Sequence, residues 1–301
     1  MVQKTILDVK ELQKSYGKIK ALKGVSFDIP VGKIAGLVGP NGSGKTTLIK
    51  CINGFHKYKG TIKLMEKNIS KVDKTHIGYL GEGKNYYPYL TGKEYLQFFA
   101  NLYEVGHDEK IIQDNLNSVG LYGRKDDLIK TYSNGMKQRL GIARTLLQDP
   151  KLLIYDEPLA GLDPIIKHEI SQIIRGVSKK GITTLISSHQ LKDIEGICNW
   201  VILINKGKII DFGLPVDILE RTNPVKDIVL TVDEKSVSTI VEIKNDLDFI
   251  IDVIVEGNTV IFTIEDKKRT ESKIFQWMIS RDIDFSLKHG SLDSMYRSVF
   301  K

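Results

Sequence analysis

The chain has 301 residues, 41% of them hydrophobic, which is length for about two domains and enough apolar content for a sizeable core. Its net charge of +7 is uneven: from Asn223 onward 11 Lys and Arg stand against 14 Asp and Glu, so the whole excess lies in the front part. Two cysteines, Cys51 and Cys198, exclude a disulfide framework, and both sit in apolar surroundings where buried thiols are expected.

Lysines interrupt every apolar stretch of MVQKTILDVKELQKSYGK, so the N-terminus lacks the continuous apolar core of a signal peptide. Even the apolar segments Trp200 to Ile204 and Phe249 to Val255 are too short or too broken to cross a bilayer. The expectation is a soluble, cytoplasmic chain. A basic front half fits nucleic acid, an anionic membrane surface or a nucleotide, and equally an ordinary solvated face.

In chain order, Leu7 to Val9, Val25 to Ile29 and Gly60 to Leu64 are short β-prone segments that predict an antiparallel layer. The apolar run Lys33 to Val38 leads into Gly39-Pro40-Asn41-Gly42-Ser43-Gly44-Lys45-Thr46-Thr47, which matches the phosphate-loop pattern G-x-x-x-x-G-K-[ST]. Gly39, Gly42 and Gly44 let the backbone turn tightly and aim several N–H groups at one phosphate chain, and the following helix adds the positive end of its dipole. Lys45 supplies a mobile cation for the β- and γ-phosphates, and Thr46 a hydroxyl for Mg²⁺. The loop establishes nucleotide binding and leaves the task open.

Further on, Thr91 starts a helix with a capping box, since Glu94 lies three residues on and Leu96, Phe99, Ala100 and Tyr103 recur at helical spacing. Residues from about 83 to 146 read as a mostly helical insertion. Leu152 to Tyr155 is a strand ending in Asp156-Glu157: beside a phosphate loop, Asp156 is placed for the metal opposite Thr46, and Glu157 for polarising the attacking water. Thr183 to Ser187 completes the alternation of a parallel α/β core. Beyond Asn223 the pattern turns to β, with Ile228 to Val232 and a hairpin in which Gly257-Asn258 joins Ile251 to Val255 and Thr259 to Thr263. A helix from about Lys267 to Ser280 follows.

Tyr132-Ser133-Asn134-Gly135-Met136-Lys137-Gln138-Arg139 resembles the signature sequence of ATP-binding cassette (ABC) proteins. Physically it is another helix N-terminus, with Ser133 as cap and the Gly135 N–H able to face a γ-phosphate. The resemblance implies that this surface serves ATP held by a second cassette subunit, so that two copies close head to tail on two nucleotides. In the same register Tyr16 resembles the aromatic that stacks on adenine, and Ala160-Gly161-Leu162-Asp163 the loop that crosses the dimer interface. His189, after Leu185-Ile186-Ser187-Ser188, resembles the switch histidine that senses the γ-phosphate.

Two departures stand out. Asn134 and Met136 replace residues that are commonly Gly and Gln, while Ser133 and Gly135 remain. Glu82, in Ile77-Gly78-Tyr79-Leu80-Gly81-Glu82, stands where the family often has the Gln that links Mg²⁺ to the transporter contact. A carboxylate there still reaches metal, at the cost of more negative charge beside Asp156 and Glu157.

The resemblance covers residues 5 to about 222, which gives a cassette domain at 1–222 and an accessory domain at 223–301. The implied fold is α/β: a P-loop NTPase core of ABC type with an N-terminal antiparallel β layer, a helical insertion and a small α+β C-terminal domain. The ending Ser291 to Phe300 is similar to that of bacterial exporter ATPases for drugs, peptide antibiotics, ions or surface polymers. The implied function is ATP hydrolysis for an exporter on the cytoplasmic face of a membrane, with ATP and Mg²⁺ as cofactors and a membrane permease as partner. The aromatic cluster Tyr86, Tyr87 and Tyr89 is a candidate socket for that permease. An importer ATPase shares the cassette. A soluble ATPase acting on ribosomes or DNA fits less well, since the chain has one phosphate loop, one signature and only 87 residues between Lys45 and Ser133.

Overall fold

The computed structural model describes residues 4–82, 86–106, 108–222, 225–265 and 270–288. The chain begins with a long antiparallel hairpin of β1 (Thr5–Tyr16) and β2 (Ile19–Pro30), with Leu7 opposite Ile29 and Val9 opposite Phe27. Both strands outrun their predicted apolar segments because pairing continues through bulges. Glu11 sits there at φ 48° and donates its N–H to Ser26 Oγ at 2.9 Å, so the kink keeps its backbone satisfied.

β3 (Ile34–Val38) is buried at every position and runs through the glycine loop into α1 (Lys45–Ile52). β4 (Lys59–Leu64) pairs with β1, and the two-residue β5 (Lys67–Asn68) closes that sheet in the order β2-β1-β4-β5. After β6 (Ile77–Leu80) come three helices, α2 (Gly92–Leu102), α3 (Glu109–Ser118) and α4 (Asn134–Thr145). The capping box forms as the spacing predicts: Glu94 N–H donates to Thr91 Oγ1 and Thr91 N–H to Glu94 Oε2. β7 (Leu152–Tyr155), α5 (Pro164–Ser178), β8 (Thr183–Ser188), the single-turn α6 (Leu191–Ile194), β9 (Trp200–Asn205) and β10 (Lys208–Gly213) complete this part.

The second sheet has the order β10-β9-β3-β8-β7-β6, parallel except for the edge strand β10. Its central strands β3, β8 and β7 are buried at every position rather than alternating, as strands covered on both faces must be, and β8 carries buried hydroxyls at both ends. Leu48, Ile49 and Ile52 of α1 are fully buried in one cluster with Leu7 and Val9 of the first sheet and Leu37, Ile154 and Leu185 of the second. Each such side chain contributes roughly 1.5–3 kcal/mol of burial, so the helix after the glycine loop is fixed by core packing along its whole length.

The chain divides into two compact units between Leu214 and Pro215. The second unit has α7 (Pro215–Thr222), β11 (Val225–Val232), the short α8 (Val237–Val241) and α9 (Ile243–Asp246), β12 (Ile250–Glu256), β13 (Thr259–Glu265), α10 (Thr270–Ile279) and β14 (Phe285–Lys288). Its antiparallel sheet runs β12-β13-β11-β14, and Glu256 faces Thr259 across a turn whose Gly257 has φ 61°. Leu230, Val260, Phe262, Ile264, Ile274 and Met278 form its buried core. Sequence reading missed α8, α9 and β14, which are too short for a periodicity to show. The ending Ser291 to Phe300 lies outside the described residues.

Candidate nucleotide site

Four of the parallel strands deliver their C-terminal ends to one place. β3 leads into Gly39, β6 into Gly81 and Glu82, β7 into Asp156 and Glu157, and β8 ends in Ser187 and Ser188 and leads into His189. In an open parallel sheet this edge is where ligands bind, because loops there carry side chains and backbone groups free of the ladder.

The glycines of the loop serve different needs. Gly42 and Gly44 have φ 78° and 112°, the left-handed region that disfavours other residues. Gly39 has an ordinary φ but no room: a Cβ there would lie 2.0 Å from the Ile204 carbonyl oxygen. The loop is also braced from far along the chain, since the Gly207 N–H donates to the Ser43 carbonyl at 2.9 Å and Gly207 O accepts from Lys23 N–H at 2.8 Å. Lys45, buried, donates its ammonium to Gly39 O at 2.7 Å and lies 3.7 Å from Glu157 Oε1. Burial lowers its pKa, and the carboxylates of Glu157 and Asp156 oppose that shift.

Asp156 is held by Leu80, whose carbonyl accepts the Asp156 N–H at 2.8 Å, and by Ser187, whose hydroxyl donates to Oδ1 at 2.6 Å. Burial raises its pKa, and the hydrogen bond from Ser187 pulls it back. Its other oxygen, Oδ2, is buried with no hydrogen-bond partner. An orphaned carboxylate oxygen beside a threonine hydroxyl is a donor set suited to a hard divalent cation. Glu157 has φ 51°, unusual for a residue with a side chain, and donates its N–H to Ser187 Oγ at 2.8 Å. That turn sends its carboxylate between Lys45 and His189, whose Nδ1 is 2.9 Å from Glu157 Oε2.

A cavity of about 550 Å³ opens over these groups. Asn41, Gly42, Gly44, Lys45, Thr46, Thr47, Glu82, Glu157 and His189 line it, together with residues of β2 and Lys206 from the β9–β10 turn. Tyr16, half-exposed at the end of β1, sets its ring edge-on to His56 and is not among the lining residues. Ser133 and Gly135 are also absent from the lining. Ser133 caps α4 by accepting the Met136 N–H at 3.2 Å, and Gly135 is held glycine by packing, since a Cβ there would lie 2.6 Å from Ile166 Cγ2 of α5. Of the aromatic cluster, Tyr89 is 79% exposed, whereas Tyr87 is half-exposed and packs against Tyr95, Phe98 and Phe99.

Sequence reading singled out neither Ser187 nor the turn at Gly207. The available signal for Ser187 was a hydroxyl pair ending an apolar strand; for Gly207 there was only an Asn-Lys-Gly turn with nothing to link it to Ser43.

These elements define an ATP-binding cassette ATPase. A model of the ABC transporter family matches residues 22–160. The linearmycin resistance ATP-binding protein LnrL of Bacillus subtilis (strain 168) is 35% identical over 234 residues, 75% of each chain. The lantibiotic transport ATP-binding protein SrtF of Streptococcus pyogenes is 40% identical over 206 residues, 68% of this chain and 89% of the relative. Among solved structures, the ADP conformation of MJ1267, an ATP-binding cassette of an ABC transporter, superposes with a TM-score of 0.64 at 27% identity, covering 70% of this chain and 91% of that one. The chain belongs to the ABC transporter family as one of its ATP-binding subunits.

Proposed function

We propose that the chain hydrolyses ATP for a membrane exporter, as one of two cassettes that close on nucleotide and drive separately encoded permease subunits. The observation that carries this reading is the division of the site. One cavity unites the phosphate loop, Glu82, Glu157 and His189, while Ser133 and Gly135 lie off it on the end of α4. A helix N-terminus capped by Ser133 suits the γ-phosphate of a second copy, so each cavity is completed from outside. The export direction is supported by the relatives LnrL and SrtF, named for linearmycin resistance and lantibiotic transport.

Within the cavity Lys45 and the loop amides hold the phosphates, and entry of the phosphates replaces the carbonyl partners that Lys45 now has. Glu157 orients and deprotonates water, and His189, on its other oxygen, reports on the γ-phosphate. Thr46 and Asp156 would hold Mg²⁺ with Glu82 in reach, and the ion would neutralise charge on the phosphate oxygens. The unit beyond Leu214 is an accessory domain. Among the described residues no helix is long and apolar enough to cross a membrane.

The test is Glu157→Gln. It should abolish most hydrolysis, by roughly 10²–10⁴-fold for loss of a general base, and accumulate an ATP-bound dimer on size exclusion. Normal turnover in that variant would remove Glu157 from the base role, and a strictly monomeric ATP complex would remove the divided site.

A further inference from the structure

We propose that Ser187 is a positioning residue for hydrolysis, a single hydroxyl that locks the metal-facing carboxylate and the base into one unit; the inference rests on the roles given above to Asp156 and Glu157. Ser187 is fully buried near the end of β8, between β3 and β7. Its O–H donates to Asp156 Oδ1 at 2.6 Å while its oxygen accepts the Glu157 N–H at 2.8 Å. One side chain thereby contacts two successive residues that are to do different chemistry.

Each contact has a consequence. The bond to Oδ1 fixes the rotation of the Asp156 carboxyl group, leaving Oδ2 as the oxygen without a partner. The bond from the Glu157 N–H satisfies a backbone donor that the left-handed turn at φ 51° takes out of the β7 ladder. Without it, that turn loses its restraint and the Glu157 carboxylate its fixed place between Lys45 and His189.

Simple satisfaction of a buried hydroxyl does not account for the pattern. Thr184, on the same strand and equally buried, keeps its Oγ1 with no hydrogen-bond partner. The neighbouring Ser188 extends the brace, its carbonyl accepting the Gly39 N–H at 3.4 Å. The end of β8 therefore touches the phosphate loop on one side and the Asp-Glu pair on the other.

The experiment compares Ser187→Ala with the size-matched pair Ser187→Thr and Ser187→Val. In protein free of nucleotide and metal, hydrogen exchange at the Glu157 amide should quicken about tenfold or more in the Ala and Val variants and stay near wild type in Thr. Turnover should fall roughly ten- to a hundredfold in Ala and Val, with the half-saturating Mg²⁺ concentration raised severalfold. Affinity for a fluorescent ATP analogue in EDTA should stay within about twofold, because the phosphate loop is untouched. Equal exchange, turnover and Mg²⁺ requirement in Thr and Val would overturn the proposal, as would unchanged Glu157 protection in Ser187→Ala. Retained hydrolysis in Glu157→Gln would instead sink the base assignment, and the exchange result in metal-free protein would still decide the role of Ser187.

Discussion

Replacing Gly39 by Ala isolates one physical demand of the phosphate loop. The backbone there needs no left-handed conformation, so the substitution adds a methyl group and nothing else. That methyl would stand 2.0 Å from Ile204 O, 2.8 Å from Ser43 Oγ and 3.1 Å from Ile204 Cγ2. Carbon contacts settle at about 3.5–4.0 Å, so loop and strand must separate by more than an ångström. Ile204 is paired with Ile209 in the β9–β10 ladder and gives little, so the loop moves. Overpacking of this kind costs about 1–3 kcal/mol, and it falls on the nucleotide-bound loop, whose N–H groups and Lys45 must regain the native geometry to meet the phosphates. Since each 1.4 kcal/mol is tenfold in affinity, ATP should bind at least roughly tenfold more weakly. Titration with a fluorescent ATP analogue, with thermal unfolding measured alongside, checks this. Wild-type affinity in Gly39→Ala would refute the reasoning. Gly42→Ala is the contrast: nothing lies within 4 Å of its Cβ, and its cost comes from φ 78° alone, about 1–2 kcal/mol.

Three more outcomes are expected. Thr91→Ala should lose about 1 kcal/mol of stability with ATP binding unchanged, because it breaks only the capping box of α2; an equal melting temperature would show the box to be idle. Burial pushes the Cys51 thiol up to about 11. The folded state then keeps its proton where the unfolded chain sheds it, so the stability advantage of wild type over Cys51→Ala should shrink as pH rises from 9 toward 11, and a growing advantage would contradict the sign. Tyr87→Ala should weaken co-purification with a permease while basal ATPase activity holds, and a parallel loss of both would end its role as a socket.

What the sequence disclosed was whatever is local along the chain. The phosphate loop, the Asp156-Glu157 strand end and the Ser133 cap are each contiguous, so their residue types and spacing carry their geometry. Three of the parallel strands, β3, β7 and β8, were visible because they run into polar loops followed by helices, whereas β6 and β9 were not read as strands. The long bulged β1–β2 hairpin was not, since Glu11 breaks the alternation while its N–H finds Ser26 from the other strand. The same limit hid Ser187, Leu80 and Gly207 from the site: each acts across a gap of many residues, through hydrogen bonds that no local pattern encodes. Gly39 was legible as a glycine, yet the reason for it, a carbonyl 165 positions later, was not.

That long reach has a consequence for how the site comes into being during synthesis. Every letter of the phosphate-loop motif has been synthesised by residue 47, but the groups that wall and tether it, Ile204 O and the Gly207 N–H, are made near the end of the first unit. Contacts so distant in sequence form late. A nascent chain halted before residue 204 therefore bears the motif in full but lacks both the carbonyl that walls the loop and the N–H that tethers it.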